Sequence, residues 1–211
     1  MKFNILFLKT SKGFTGKEKQ KIKSILKNTT NRAAKILKLK NRTINFVIYP
    51  FNGKFTWGTA ESNDWIKLYI CRKKFNENDL KSAVYHEMHH IARNFTFLTR
   101  RKISFLETLF SEGLAVAFEI GQVPKRIPQY AKYTEALIKK WLPKIKKEKL
   151  FGEDFSHDEW FLGKKGKPNR LGYKIGTYLA DQIKKNHPEL TPGKIVRKNV
   201  KTLLKLSKVN L

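Results

Sequence analysis

The sequence predicts an α+β fold in which a small N-terminal mixed sheet with helices precedes a helical C-terminal lobe. Two observations carry this expectation. Runs of β-branched and aromatic residues stop by residue 72, and beyond residue 76 the apolar positions recur almost entirely at helical spacing. A third observation sets the domain count: without internal repeats or a Gly/Ser- or Pro-rich linker, the 211 residues read as one domain. Its α/β lobe spans 1–96 and its helical lobe spans 97–211.

Each element has its own signal. Residues 1–9 read as a strand; Lys9 interrupts the apolar stretch and no small-residue cleavage site follows, which argues against a signal peptide. Over 16–38, Ile22, Ile25, Leu26, Ala33, Ile36 and Leu37 fall at helical spacing with lysines between them. "TINFVIYP" (43–50) is a β-branched and aromatic strand stopped by Pro50. Residues 51–72 give a turn and one or two strands, with Trp65, Ile66, Leu68 and Ile70 mostly alternating. Asn76 or Asn78 can cap the helix that follows, and a second helix over 101–121 ends at Gly121. The rest is helical in pattern, punctuated by Pro124, Pro128, Pro143 and Pro168, and includes "LGYKIGTYLADQIKK".

Composition narrows the function classes. Apolar residues make up 40% of the chain, too many for a disordered protein. The single cysteine, Cys71, excludes an intramolecular disulfide framework and a multi-cysteine zinc site. No apolar run approaches the roughly 20 residues of a membrane span, so the expectation is a cytoplasmic protein with no membrane partner. The formal net charge of +28 invites a nucleic-acid reading, but it comes from 36 Lys and only 9 Arg. Lysine is a point charge without the bidentate fork that reads guanine. The lysines are also spread along the chain, concentrating only at 17–27, 139–149 and 164–167. No specific nucleic-acid partner is expected.

The chemistry concentrates in "SAVYHEMHHIARN" (82–94), which holds three of the five histidines. His86-Glu87-Met88-His89-His90 matches HExxH, a pattern that shuffling this composition yields roughly once in 150 trials, so geometry has to decide. At about 100° per residue, His86 and His90 lie within about 40° of each other and one turn apart, so both imidazoles can reach one ion. Glu87 sits on their flank, poorly placed to ligate and well placed to act as general base on a water. Leu80, Val84, Met88 and Ile91 cluster on the opposite side and anchor the helix. His89 points to the other flank and is expected at the surface or behind the ligands rather than among them.

A catalytic zinc usually has three protein ligands, and the next helix offers Glu107, Glu112 and Glu119. Glu112 and Glu119 are seven apart and share a face, whereas Glu107 lies about 140° away. That helix is apolar nearly all round, and a buried carboxylate without a partner is costly. A metal supplies the partner for Glu112, and a ligand imidazole N–H can supply one for Glu119. The alternative for Glu119 is a place near the helix end, in reach of water. Gly113 is expected to let this helix approach the HExxH helix closely.

"HEMHH" followed by "FSEGLAVAFE" resembles the gluzincin metallopeptidases, in which a second helix supplies a glutamate as third zinc ligand. Their aminopeptidase branch has a similar Asn-Glu-Gly-x-Ala segment with a further Glu seven residues on. Glu112, Gly113, Ala115 and Glu119 match it, with Ser111 in place of the Asn. The chain is also similar, over roughly residues 43–185, to a small bacterial family of predicted zinc-dependent proteases, which carries HExxH, a Glu-Gly-Leu-Ala helix and a later Gly-Tyr-x-x-Gly helix, here "GYKIG". The resemblance implies a zincin-like fold with the HExxH helix beneath the sheet. It also implies Zn²⁺ as cofactor, held by His86, His90 and Glu112, with Glu119 behind the ligands. "GTAES" (58–62) stands where gluzincins keep an edge strand that pairs with substrate backbone, and Tyr173 stands where they often place an oxyanion donor, with His157 as fallback.

The function expected is hydrolysis of peptide bonds by a zinc-activated water, with Glu87 and Tyr173 as catalytic residues and a peptide or protein as substrate. A strongly positive cleft would suit acidic peptides, and the Lys-rich segment 139–149 is a candidate cover for it. Two rivals share the same residues: a catalytically silent zincin-like binding module, and a basic nucleic-acid-binding protein with a structural metal site.

Overall fold

The computed structural model describes residues 1–8, 13–99, 103–124, 126–145, 150–152 and 155–211. In the first lobe, β1 (Lys2–Phe7), α1 (Gly16–Leu37), β2 (Thr43–Phe51), β3 (Trp57–Ser62) and β4 (Trp65–Cys71) precede α2 (Glu77–Arg93). The helical lobe holds α3 (Phe105–Gln122), a 3-10 turn (Gln129–Ala131), α4 (Glu135–Ile145), α5 (His157–Leu162), α6 (Leu171–Asn186), α7 (Pro192–Ile195) and α8 (Val200–Ser207). The fold is α+β, as the sequence predicts.

The four strands form one mixed sheet in the order β1-β2-β4-β3. β1, β2 and β4 run parallel, and β3 pairs antiparallel with β4 at the edge. The period-2 alternation of β2 and β4 sends Ile44, Phe46, Ile48, Ile66, Leu68 and Ile70 into the core, each no more than 1% exposed. α1 and α2 cover that face. α1 is fixed at its start by a capping box in which Thr15 and Glu18 satisfy each other's backbone N–H groups.

The sequence places the HExxH helix correctly but understates its burial. Asn76 caps α2 by accepting from the N–H groups of Asn78 and Asp79. Leu80, Val84, Met88 and Ile91 are at most 1% exposed, and burial of each contributes about 1.5–3 kcal/mol. The histidine face is buried as well, because α3 lies across it.

α3 joins two cores. Its C-terminal part sets Phe118 into the core beneath the sheet, while Phe105, Leu106, Leu109 and Phe110 pack with Trp160, Leu171 and Leu179 of the helical lobe. Gly113 does not serve the approach to α2 that its position in the sequence suggested. A Cβ there would overlap the backbone of Gly176, so Gly113 and Gly176 are the crossing point of α3 with α6. Glu112, one residue earlier, faces α2, and the rotation of about 100° per residue turns Gly113 to α6 instead. Among the described residues no helix is long and apolar enough to cross a membrane.

Candidate metal centre

Two helices set the site. α2 supplies His86 and His90, four residues apart and therefore stacked one turn above the other, with ring centroids 4.6 Å apart. α3 crosses them and brings Glu112 between. The Glu112 Oε2 lies 3.3 Å from His86 Nε2 and 3.4 Å from His90 Nε2. All three side chains are buried, and among the described residues they form the group able to hold one metal ion.

Those separations identify what the arrangement fits. A charge-assisted N–H···O bond runs about 2.7–2.9 Å, so both contacts are long for hydrogen bonds. Zinc bonds of about 2.0–2.2 Å in tetrahedral geometry put neighbouring ligand atoms about 3.3–3.6 Å apart. The two observed edges match that spacing, and two imidazole nitrogens with one carboxylate are a donor set suited to zinc.

Charge within the site favours the ligand-competent state of Glu112. Burial by itself would raise the Glu112 carboxyl, but the neighbouring His90 and His86 outweigh it and hold it far below the usual carboxylate range. Burial disfavours a charge on His86, yet its bonds to Glu112 and Glu119 push its pKa well above the ordinary value. A proton would therefore compete with a metal ion for the same nitrogen.

Behind His86 stands Glu119, which is 1% exposed. Its Oε2 is 2.8 Å from His86 Nδ1. A carboxylate oxygen accepts, so this contact keeps a ring hydrogen on Nδ1 and leaves Nε2 as the nitrogen that could face a metal ion. Glu119 accepts further bonds from the hydroxyls of Ser82 (3.1 Å) and Tyr130 (2.9 Å). Arg126 lies 3.5 Å from it and ties Asp79 and Ser82 into the same network. Burial and the adjacent Glu119 raise the Tyr130 phenol well above its ordinary pKa, so it remains a donor.

Ser82, Arg126 and Tyr130 were not anticipated from the sequence. Ser82 could have been, since it lies four residues before His86 on the same face of α2. Arg126 and Tyr130 come from the Pro-punctuated stretch after α3, where no periodicity indicates which surface the chain crosses.

Glu87 is not part of the three-residue group that could hold a metal ion. Its Oε2 accepts the N–H of Ala60 at 2.7 Å, which ties the carboxylate to edge strand β3. Burial raises its pKa against the opposing pull of His86 and His90. Gly58 makes the contact possible, because a Cβ there would come within 2.9 Å of the Glu87 side chain.

The remaining candidates separate clearly. His89 is not at the surface; it is 2% exposed and packs against Phe118. α2 is enclosed on that side too, and burial holds the His89 pKa well below its usual value. Glu107 is turned away and pairs with the buried Arg93 at 2.7 Å. Tyr173 lines the cleft above the site. His157 is stacked on Phe161 within the helical lobe and does not line that cleft. Of the Lys-rich segment 139–149, residues 146–149 lie outside the described residues. Residues 139–145 belong to α4 and do not line the cleft.

The cleft has a volume of about 770 Å³, within the usual range for ligand sites. Its walls are β3 with Phe55 and Trp57 on one side, and Arg126, Tyr130, Arg170 and Tyr173 on the other. It is not the strongly positive cleft that the overall charge suggested. Its lining carries two arginines and no lysine among the described residues, facing Glu61, Glu87, Glu112 and Glu119. The described lysines lie away from that lining.

No curated protein and no solved structure matches the chain. A family model does, and it runs from residue 22 to residue 205, across both lobes and every residue of the site. The buried His-His-Glu group and the match together place the chain: it belongs to the family described as "Predicted Zn-dependent protease (DUF2268)".

Proposed function

We propose that this protein is a zinc-dependent peptidase that hydrolyses peptide bonds in the cleft between β3 and the helical wall. The observation that carries the proposal is the buried convergence of His86, His90 and Glu112, whose Oε2 lies 3.3 and 3.4 Å from the two imidazoles, with a second carboxylate, Glu87, outside that group. When bound, the ion supplies Lewis-acid polarisation of a carbonyl and makes water acidic enough to act near neutral pH.

The chain's own groups do the rest. Glu87 takes the proton from the attacking water and returns it to the departing amine. The Ala60 N–H fixes where that carboxylate points. Glu119 holds His86 in one tautomer and orientation. Tyr173, on the opposite wall, donates to the oxygen on which negative charge develops.

β3 offers the surface along which an extended substrate lies. Ala60 turns its N–H to Glu87 and its C=O to the N–H of Phe97 at 2.7 Å, so both groups face away from β4. Antiparallel pleating repeats every second residue, so Gly58 faces the same way. Residues 95–98 already cover Ala60 and Glu61, which narrows the segment open to a substrate backbone from 58–62 to the neighbourhood of Gly58.

Glu87→Gln tests the reading. It should abolish peptide cleavage while leaving metal content at the wild-type level. Cleavage that survives in this variant would sink the proposed mechanism.

A further inference from the structure

Among the described residues the cleft has two arginines, and they are provided for differently. Arg126 is committed to carboxylates of this chain, Asp79 and Glu119, and to the Ser82 hydroxyl at 2.9 Å. Arg170 is half-buried in the same wall, yet among the described residues no carboxylate lies within ion-pair distance of it. Glu61, on the opposite wall, is taken by Lys67 at 3.0 Å. Glu87 and Glu112 are held by Ala60 and the two imidazoles.

Arg170 is also held in place. Its φ of 61° lies in the left-handed region that L residues seldom adopt, where it forms the N-cap of the 16-residue α6. Its guanidinium sits 5.6 Å from the centre of the Tyr173 ring. That ring is 5.2 Å from Tyr130, whose hydroxyl reaches Glu119 behind His86. The cation thus stands on the same wall as the residues that brace the metal ligands. It is an arginine in a chain where lysine outnumbers arginine 36 to 9. A planar fork, unlike an ammonium, binds a carboxylate by two parallel bonds.

We infer that the cleft selects peptides bearing a carboxylate and that Arg170 is the specificity-determining residue that holds it. This rests on the peptidase reading for its substrate class. The carboxylate has two sources, a free peptide C-terminus or an Asp or Glu side chain.

The test is direct binding of labelled peptides to the zinc-loaded Glu87→Gln protein, with Arg170 present or replaced by Gln, at salt high enough to screen the surface lysines. Three matched peptides separate the sources: a free acid, its C-terminal amide, and an amide carrying an internal Glu in place of Gln. One carboxylate peptide should bind more tightly than the neutral amide. Arg170→Gln should weaken that peptide by about tenfold or more and leave the amide unchanged, as expected for a charged hydrogen-bonded pair. Arg170→Lys should recover part of the loss. Equal binding of all three peptides, or a preference that persists in Arg170→Gln, overturns the inference. Binding reads Arg170 whether or not turnover occurs. A wild-type protein that binds selectively but cleaves nothing would count against the peptidase reading alone.

Discussion

The two histidines of the site differ in what stands behind them. His86 has its Nδ1 on Glu119, and Glu119 is gripped by Ser82, Tyr130 and Arg126. His90 Nδ1 is buried with no hydrogen-bond partner among the described residues, and its ring packs against Phe95 at 5.0 Å. One imidazole is oriented by a charged network and the other by packing. The difference teaches where rigidity in the site comes from: the His86 side is specified chemically, whereas the His90 side is specified by shape, with the Phe95 N–H also bonded to the His90 carbonyl at 2.9 Å.

The sharpest way to break that comparison is Glu119→Gln. Removing the carboxylate that fixes the His86 tautomer should weaken zinc affinity by about 10- to 100-fold in a chelator competition. An unchanged affinity would mean that Glu119 contributes only to folding. Tyr130→Phe removes one of the hydroxyl donors to Glu119 and leaves Ser82 and Arg126. The expected loss is about 1 kcal/mol, or roughly fivefold in the same measurement. On the other side, Phe95→Leu trims packing without touching a polar contact. It should lower the melting temperature while changing zinc affinity by no more than about twofold, since a trimmed core side chain acts on stability. If Phe95→Leu instead matched Glu119→Gln in metal affinity, packing and charge would be equivalent supports and the comparison would fail.

How much was legible beforehand follows the same division. α2 was readable because its period is strong: the apolar positions Leu80, Val84, Met88 and Ile91 fix the buried side, and that fixes where His86 and His90 must point. Glu112 and Glu119 were readable as a pair because seven residues bring them back to one face of α3. Gly113 shows the limit of that reasoning. Periodicity gives a residue's direction on its own helix but not which helix lies there, and the neighbour is α6. His89 shows another limit, since a polar residue on a helix flank reads as exposed until a second element is known to cover it. Arg126, Tyr130 and Arg170 were silent because they lie in the 3-10 turn region and at the start of α6, where neighbouring segments, not local pattern, decide position. The mixed sheet was readable as strands, whereas the edge position of β3, which brings Ala60 to Glu87, depends on long-range pairing.

The central claim is that His86, His90 and Glu112 hold one metal ion and that Glu107 does not take part. Zinc analysis of the purified protein beside Glu112→Ala and Glu107→Gln tests it most directly. About one zinc per chain is expected in the wild type, little or none in Glu112→Ala, and the wild-type amount in Glu107→Gln. Wild-type protein without bound zinc, or Glu112→Ala protein that retains it, would contradict the account.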